Sequence, residues 1–170
     1  MFDLSLSQKI QQLDPKIYLG LMEFFTDLGD FKTLLLLLFI STLALWLHRK
    51  KLESKILVFS VLFSALLGTV LKYLIHRPRP TPDLVSIYAI ESSPSFPSNH
   101  ALISLVFFGL LALFIKNKMA KTILCLTIFL VGISRIYLGV HWTSDVLGGF
   151  FLGGVILFFI NRYFLLNHER

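Results

Sequence analysis

Three polar clusters interrupt an otherwise apolar chain. The first runs from Lys72 through Arg77 and Arg79 to Pro80, the second is Pro97-Ser98-Asn99-His100, and the third runs from Ser134 and Arg135 through His141 to Asp145. Each stands at the end of a long apolar run. Ionisable groups beside or within membrane spans are costly, which makes them functional candidates by default. Lys72, Arg79 and Arg135 with His100, His141 and Asp145 supply what a site needs to grip an anion and move protons.

The spacings narrow the chemistry. Lys72 and Arg79 are seven residues apart, nearly two helical turns, and share a face if the helix lasts that long. Pro78 and Pro80 predict that it ends by Arg77, leaving Arg79 on a reoriented backbone. Two such cations suit phosphate, with the planar guanidinium binding two oxygens; interfacial anchoring is the plainer alternative. Ser98 is a natural N-cap, and free N–H groups at a helix start bind anions. A simple cap with His100 at the interface also fits. His141 and Asp145 are four apart, where a carboxylate can hold an imidazole N–H and leave the other nitrogen as nucleophile. The alternative is that Asp145 only favours the N-terminal end of its helix. Zinc on His100, His141 and Asp145 ranks low, because the surrounding cations oppose a divalent metal.

The elements that must position these residues follow from hydropathy. The 170 residues make one domain of ordinary size, 55% hydrophobic and only 15% charged, too apolar for a soluble globule. Five apolar runs, at about Thr33–Leu47, Leu57–Leu71, Ala101–Ile115, Thr122–Ile133 and Val146–Ile160, read as spans lengthened by snorkelling and interfacial flanks. The last but one continues helically to about Gly139. The net charge of +6 forms no single basic stripe and comes from cationic flanks, so no nucleic-acid partner is expected. Cys125 lies in mid-span, and with one cysteine no intrachain disulfide exists.

Loop charges give the orientation. Arg49, Lys50, Lys51, Lys55, Lys116, Lys118, Lys121, Arg162 and Arg170 fall on one side, which the positive-inside rule makes cytoplasmic. All three clusters then face away from the cytoplasm. Residues 1–30 form a separate segment with no removable signal-peptide pattern. Ile10, Leu13, Ile17, Leu21, Phe24 and Leu28 recur at three- and four-residue spacing, as in an amphipathic helix. Asp14-Pro15 reads as an N-cap followed by proline at the first helical position. With its charges this helix is expected to lie along the interface. The fold expected is thus all-α, a polytopic bundle of about five transmembrane helices over 31–170 with an N-terminal interfacial helix over 1–30. Pro80–Pro97, with four prolines, reads as an ordered surface loop. Its Asp83 and Glu91, unaccompanied by cations, suggest no extra grip on an anionic headgroup.

In combination the clusters resemble the three-part signature of the type-2 phosphatidic acid phosphatase superfamily: Lys-x6-Arg-Pro, Pro-Ser-Gly-His and Ser-Arg-x5-His-x3-Asp. Lys72, Arg79 and Pro80 match the first part, Pro97, Ser98 and His100 the second, and Ser134, Arg135, His141 and Asp145 the third. Asn99 departs from the usual glycine; asparagine tolerates left-handed backbone, but crowding near the phosphate becomes an open point. The resemblance implies that His141 attacks phosphorus, oriented by Asp145. It implies that His100 protonates the leaving oxygen and then activates water. Lys72, Arg79, Ser98, the Asn99 N–H and Arg135 would hold the phosphate oxygens, with no metal and no cofactor. It further implies a bacterial inner-membrane lipid phosphate or diphosphate phosphatase, active on the periplasmic side, with a membrane lipid as its partner and no obligate protein partner. Lipid A 1-phosphate and undecaprenyl diphosphate are expected ahead of phosphatidylglycerol phosphate. A non-catalytic headgroup-binding or lipid-flipping protein is the alternative.

Overall fold

The computed structural model describes residues 2–168. Among them are seven α-helices and no strand: α1 Phe2–Ile10, α2 Pro15–Leu28, α3 Phe31–Leu47, α4 Lys51–Ile75, α5 Asn99–Phe114, α6 Lys118–Tyr137 and α7 Thr143–His168. Arg170, one of the flanking cations above, lies outside the described residues.

Helix α5 is the centre of the bundle. It packs against α4, α6 and α7, and Ala101, Leu102, Val106, Phe107 and Leu110 are buried along it. Leu34, Leu57 and Val61 close the same core from α3 and α4. The α5–α7 contact is close because α7 presents glycine there: a Cβ on Gly149 would stand 2.6 Å from the Ser98 carbonyl oxygen. Small residues permit such approach between membrane helices. Outward faces are the reverse of a soluble protein's, with Phe39, Phe59, Leu74 and Phe151 all exposed.

The five expected spans correspond to α3–α7, but length separates them. Helices α4, α6 and α7 are long and apolar enough to cross a membrane; α3 qualifies only together with α2, at a bend of 54°. Helix α5 has 16 residues, about 24 Å at 1.5 Å per residue, short of a hydrocarbon core of about 30 Å. Its shortness has a physical reason: wrapped by three neighbours, it need not match the thickness of the lipid.

The N-terminal segment forms two helices rather than one. Asp14 accepts a hydrogen bond from the Lys16 N–H at 2.9 Å, and Pro15 is the first residue of α2, as the sequence predicts. Helix α2 docks on α6, burying Met22 beside Tyr137 and Leu138, while Ile17 and Phe24 stay exposed. Helix α1 packs on both α6 and α7.

Two turns aim the polar clusters. Helix α4 ends at Ile75, with His76 in the left-handed region (φ 51°) before the two prolines. After α6, Gly139 takes φ +73°, and a Cβ there would lie 2.1 Å from the Ser86 carbonyl oxygen. That close approach lets the 76–98 loop settle over the bundle. Gln11 bonds to the Ser86 backbone through both its amide atoms, and Tyr88 stacks on Tyr137 at 5.7 Å. The loop is therefore ordered, and it brings Arg79 and Glu91 to the ends of α5, α6 and α7.

Candidate active site

His141 lies in the α6–α7 connection and is almost wholly buried. Its Nδ1 is 3.6 Å from Asp145 Oδ2 and 3.5 Å from Ser95 Oγ, and its Nε2 is 3.4 Å from Arg79 Nη1. With the Nδ1 proton facing Asp145, the Nε2 lone pair points at the cations. Burial holds the imidazole pKa well below its ordinary value, and the charges of Arg135, Arg79, Lys72 and His100 push the same way. A neutral ring with an unshared pair is the form a nucleophile requires.

Asp145, in the first turn of α7, is fully buried. Its Oδ1 accepts from Arg77 at 2.6 Å; its Oδ2 accepts from Ser95 Oγ and from the Trp142 N–H at 2.9 Å. The carboxylate caps its helix connection and faces the imidazole at once.

The three expected cations converge. Arg79 is fixed by the Ser93 carbonyl at Nε (2.7 Å) and by the Val140 carbonyl at Nη1. Lys72, buried at the end of α4, donates to the carbonyls of Pro94 (2.6 Å) and Ser95 (3.3 Å). Arg135, buried at the end of α6, donates from Nη1 to Thr26 Oγ1 of α2. A carboxylate bridges the two guanidiniums: Glu91 Oε2 is 2.7 Å from Arg79 Nη2, and Oε1 pairs with Arg135 Nη2. Glu91 thus sits where the sequence reading saw no role for it.

The second cluster opens α5. Ser98 caps it, accepting from the Ala101 N–H at 3.5 Å while its own N–H donates to the Asp145 carbonyl at 3.0 Å. His100 follows on the first turn, against Gly29, which caps the C-terminal end of α2. The Asn99 side chain turns towards α4: its Oδ1 lies 2.1 Å from where a Cβ on Gly68 would be, and its Nδ2 is 3.5 Å from Thr69 Oγ1. The notch left by Gly68 takes the bulk that glycine would have avoided.

A cleft of about 490 Å³ connects this chemistry to the outer face of the bundle. Phe31, Leu62, Ala65, Leu66 and Ile103 line one part, and Lys72, Glu91, Asn99 and His100 the other. Among the described residues no three His, Cys, Asp or Glu side chains group as metal ligands would.

The structure brings His141, His100, Asp145, Lys72, Arg79, Ser98, Asn99 and Arg135, the residues expected from the sequence, to one end of the bundle. Sequence reasoning missed Ser95, Glu91, Arg77, Asp3 and Thr26. For Arg77, its place inside the first motif was a usable signal; serine, glutamate and threonine on distant segments gave none.

The PAP2 superfamily pattern matches residues 53–169. The chain belongs to the PAP2 superfamily. Phosphatidylglycerophosphatase B of Bacillus subtilis is 37% identical over 148 residues, covering 82% of this chain and 71% of that protein. An undecaprenyl-diphosphatase of Sulfolobus acidocaldarius is 39% identical over 106 residues, 60% of this chain and 50% of that protein. The chain therefore spans only about half the length of the second relative. The crystal structure of a transmembrane PAP2 type phosphatidylglycerolphosphate phosphatase from Bacillus subtilis superposes with a TM-score of 0.86 at 33% identity, covering 97% of this chain and 85% of that one. That of Aquifex aeolicus LpxE gives 0.83 at 27% identity, covering 96% of each. As a PAP2 protein with these apolar helices, the molecule is a multi-pass membrane phosphatase of the lipid phosphatase type.

Proposed function

We propose that this PAP2 protein hydrolyses a lipid phosphomonoester or diphosphate on the extracytoplasmic face of the bacterial inner membrane, through a phosphohistidine on His141. The observation that carries this is the aim of His141: its Nε2 faces Arg79, with Lys72 and Arg135 around the same point.

In the first step Nε2 attacks phosphorus in line and the bond to the leaving oxygen breaks, while His100, which takes up a proton once the anionic headgroup lies beside it, donates that proton to the leaving oxygen. Arg79, Arg135, Lys72 and the free N–H groups at the start of α5 hold the equatorial oxygens as charge develops. Asp145 keeps the ring in the right tautomer and balances its growing positive charge. In the second step neutral His100 takes a proton from water, the hydroxyl oxygen attacks phosphorus, the P–N bond breaks and inorganic phosphate leaves. No step calls on a metal or cofactor.

The cleft supports a lipid. Its apolar part opens along α3, α4 and α5, so acyl or prenyl chains can remain in the bilayer while the headgroup meets Lys72 and His100. The orientation follows from charge: the α3–α4 and α5–α6 connections, where Lys50 reaches the Phe114 carbonyl at 3.4 Å, form the end opposite the site and carry the basic residues. Residues 1–30 are proposed to lie at the interface, with exposed Ile17 and Phe24 towards lipid and the opposite side on α6.

Lipid A 1-phosphate, undecaprenyl diphosphate and phosphatidylglycerol phosphate are the substrates proposed. A relative covering 82% of this chain bears the name phosphatidylglycerophosphatase B, which brings the third level with the other two. Phosphate release from these three lipids in detergent, with chelator present, tests the reading. Wild type should turn over at least one, and His141→Ala should lose about 10³-fold or more. Headgroup binding without turnover by wild type would favour the non-catalytic alternative.

A further inference from the structure

We infer that Arg77 is a positioning residue for phosphoryl transfer: held by Asp3 of the N-terminal helix, it fixes the Asp145 carboxylate that aligns His141. The inference rests on the function proposed above and adds to it two residues that no fixed motif position names: Arg77, at a variable position inside the Lys72–Pro80 motif, and Asp3, far from all three.

Arg77 turns its guanidinium nitrogens to Asp145, Ser144 and Asp3 rather than to Glu91 or His141. Its Nη1 donates to Asp145 Oδ1 and to Ser144 Oγ, each at 2.6 Å, and its Nη2 donates to Asp3 Oδ2 at 2.9 Å. Arg79, two residues on, is the guanidinium that faces His141 Nε2. The two arginines thus meet different members of the catalytic pair, one the reacting nitrogen and the other the carboxylate.

Asp145 needs such a partner. It is fully buried, and an uncompensated buried carboxylate is strongly unfavourable. The imidazole at 3.6 Å is neutral in the resting site and does not balance the charge. Arg77 does, and by taking Oδ1 it leaves Oδ2 for Ser95, the Trp142 N–H and His141.

Asp3 completes the arrangement from the far end of the chain. Its Oδ1 accepts from the Ser144 N–H at 2.8 Å and its Oδ2 from Ser144 Oγ at 2.6 Å, so it grips both Arg77 and the start of α7. Burial alone would raise its pKa, but the hydrogen bonds from Ser144 and Arg77 outweigh this and hold it below the usual carboxylate range. The guanidinium also lies over the Trp142 ring, 5.8 Å from its centroid. Trp142 Nε1 in turn donates to the Pro78 carbonyl at 3.1 Å, which fixes the Arg77 backbone.

The test is steady-state and rapid-quench kinetics on the full-length protein in detergent, for Arg77→Gln, Arg77→Lys, Asp3→Asn and the Asp3→Asn/Arg77→Gln pair. Removing the partners that orient a metal-bound imidazole typically costs about 10–100-fold, and on the same scale kcat and phosphoenzyme formation in Arg77→Gln should fall by about that factor. KM and the inhibition constant for inorganic phosphate should stay within about twofold, since the cup is intact. Arg77→Lys should recover part of the loss, and Asp3→Asn should lose less than Arg77→Gln. In the pair, Asp3→Asn should add nothing, because both act through Asp145. A fall in phosphate affinity with kcat retained would make Arg77 a substrate ligand and overturn the inference, as would additive losses in the pair. If Arg77→Gln does not fold, the kcat-against-KM split in Arg77→Lys and Asp3→Asn decides the matter. Failure here leaves the loss of turnover in His141→Ala untouched, so the two readings fail separately.

Discussion

On the function proposed, Glu91 occupies the place a substrate phosphate would take, and this has a measurable consequence. Its two oxygens pair with Arg79 and Arg135, the guanidiniums that would hold the equatorial phosphate oxygens. Substrate must displace it, so apparent affinity is the intrinsic affinity reduced by the fraction of molecules in which the arginines are free. The size of the effect follows from exposure. Both guanidiniums are largely buried, at 13% and 4%, where a charge-assisted hydrogen bond is worth about 1.5–3 kcal/mol. The Glu91 side chain is 28% exposed and sits on a loop, so solvent and rotamer entropy return about a third of that, leaving it above the roughly 0.2–1 kcal/mol of fully exposed pairs. A net of about 1–2 kcal/mol is a factor of about 5–30. Glu91→Gln should therefore lower KM for lipid and the inhibition constant for inorganic phosphate by the same factor, with kcat retained. The two constants are read in one detergent assay, by substrate titration with and without phosphate. A rise in both constants would show that Glu91 holds the arginines in place for substrate, and a fall in kcat would make it a participant in proton transfer. Either result refutes the displacement argument.

Three further outcomes are expected. The His141 ring, held neutral by burial and neighbouring cations, should show no titration in histidine 13C NMR from pH 8 to below about 6.5, its ordinary pKa. Because the unfolded chain binds that proton and the native state does not, the same group should make the protein less stable as pH falls below about 6.5. Gly68→Ala should lower kcat/KM by pushing Asn99 and the start of α5, since the new Cβ would lie 2.1 Å from Asn99 Oδ1. Asn99→Gly in the same chain should restore it, and failure of that rescue would refute the notch account. Gly139→Ala forces a positive φ on a residue with a Cβ that meets the Ser86 carbonyl. It should cost at least about 1–2 kcal/mol in detergent melting and reduce turnover by displacing the loop that carries Glu91 and Ser95.

What the sequence disclosed and what it concealed divide along a physical line. Lys72, Arg135 and His141 stood out because a charge or imidazole at the end of an apolar run is expensive unless it has a purpose. Spacing then supplied the pairing of His141 with Asp145, a contact within one helical turn and its approach. The helix stop before Arg77 was legible from two prolines, and the α2 cap from Asp14-Pro15. Span length was less so: hydropathy registers how apolar α5 is, but whether lipid or other helices surround it is a property of the assembled bundle.

The partners that complete the site were hidden for a different reason. Asp3 meets Ser144 across 141 positions of sequence, and Thr26 meets Arg135 across 109. Neither residue type signals chemistry on its own, so nothing short of the fold could pair them. Glu91 is the instructive case. As an isolated feature of a loop without cations, a carboxylate argues against gripping a phosphate lipid, and the sequence reading drew that conclusion. In the folded chain the same charge lies between two largely buried guanidiniums, where some anion is needed to offset their burial. A cup tight enough to hold a lipid phosphate by two arginines is, before that lipid arrives, a cup with uncompensated positive charge, and the loop that closes over it supplies the counter-charge. The residue that looked hostile to an anionic headgroup is thus a consequence of how strongly the site is built to hold one.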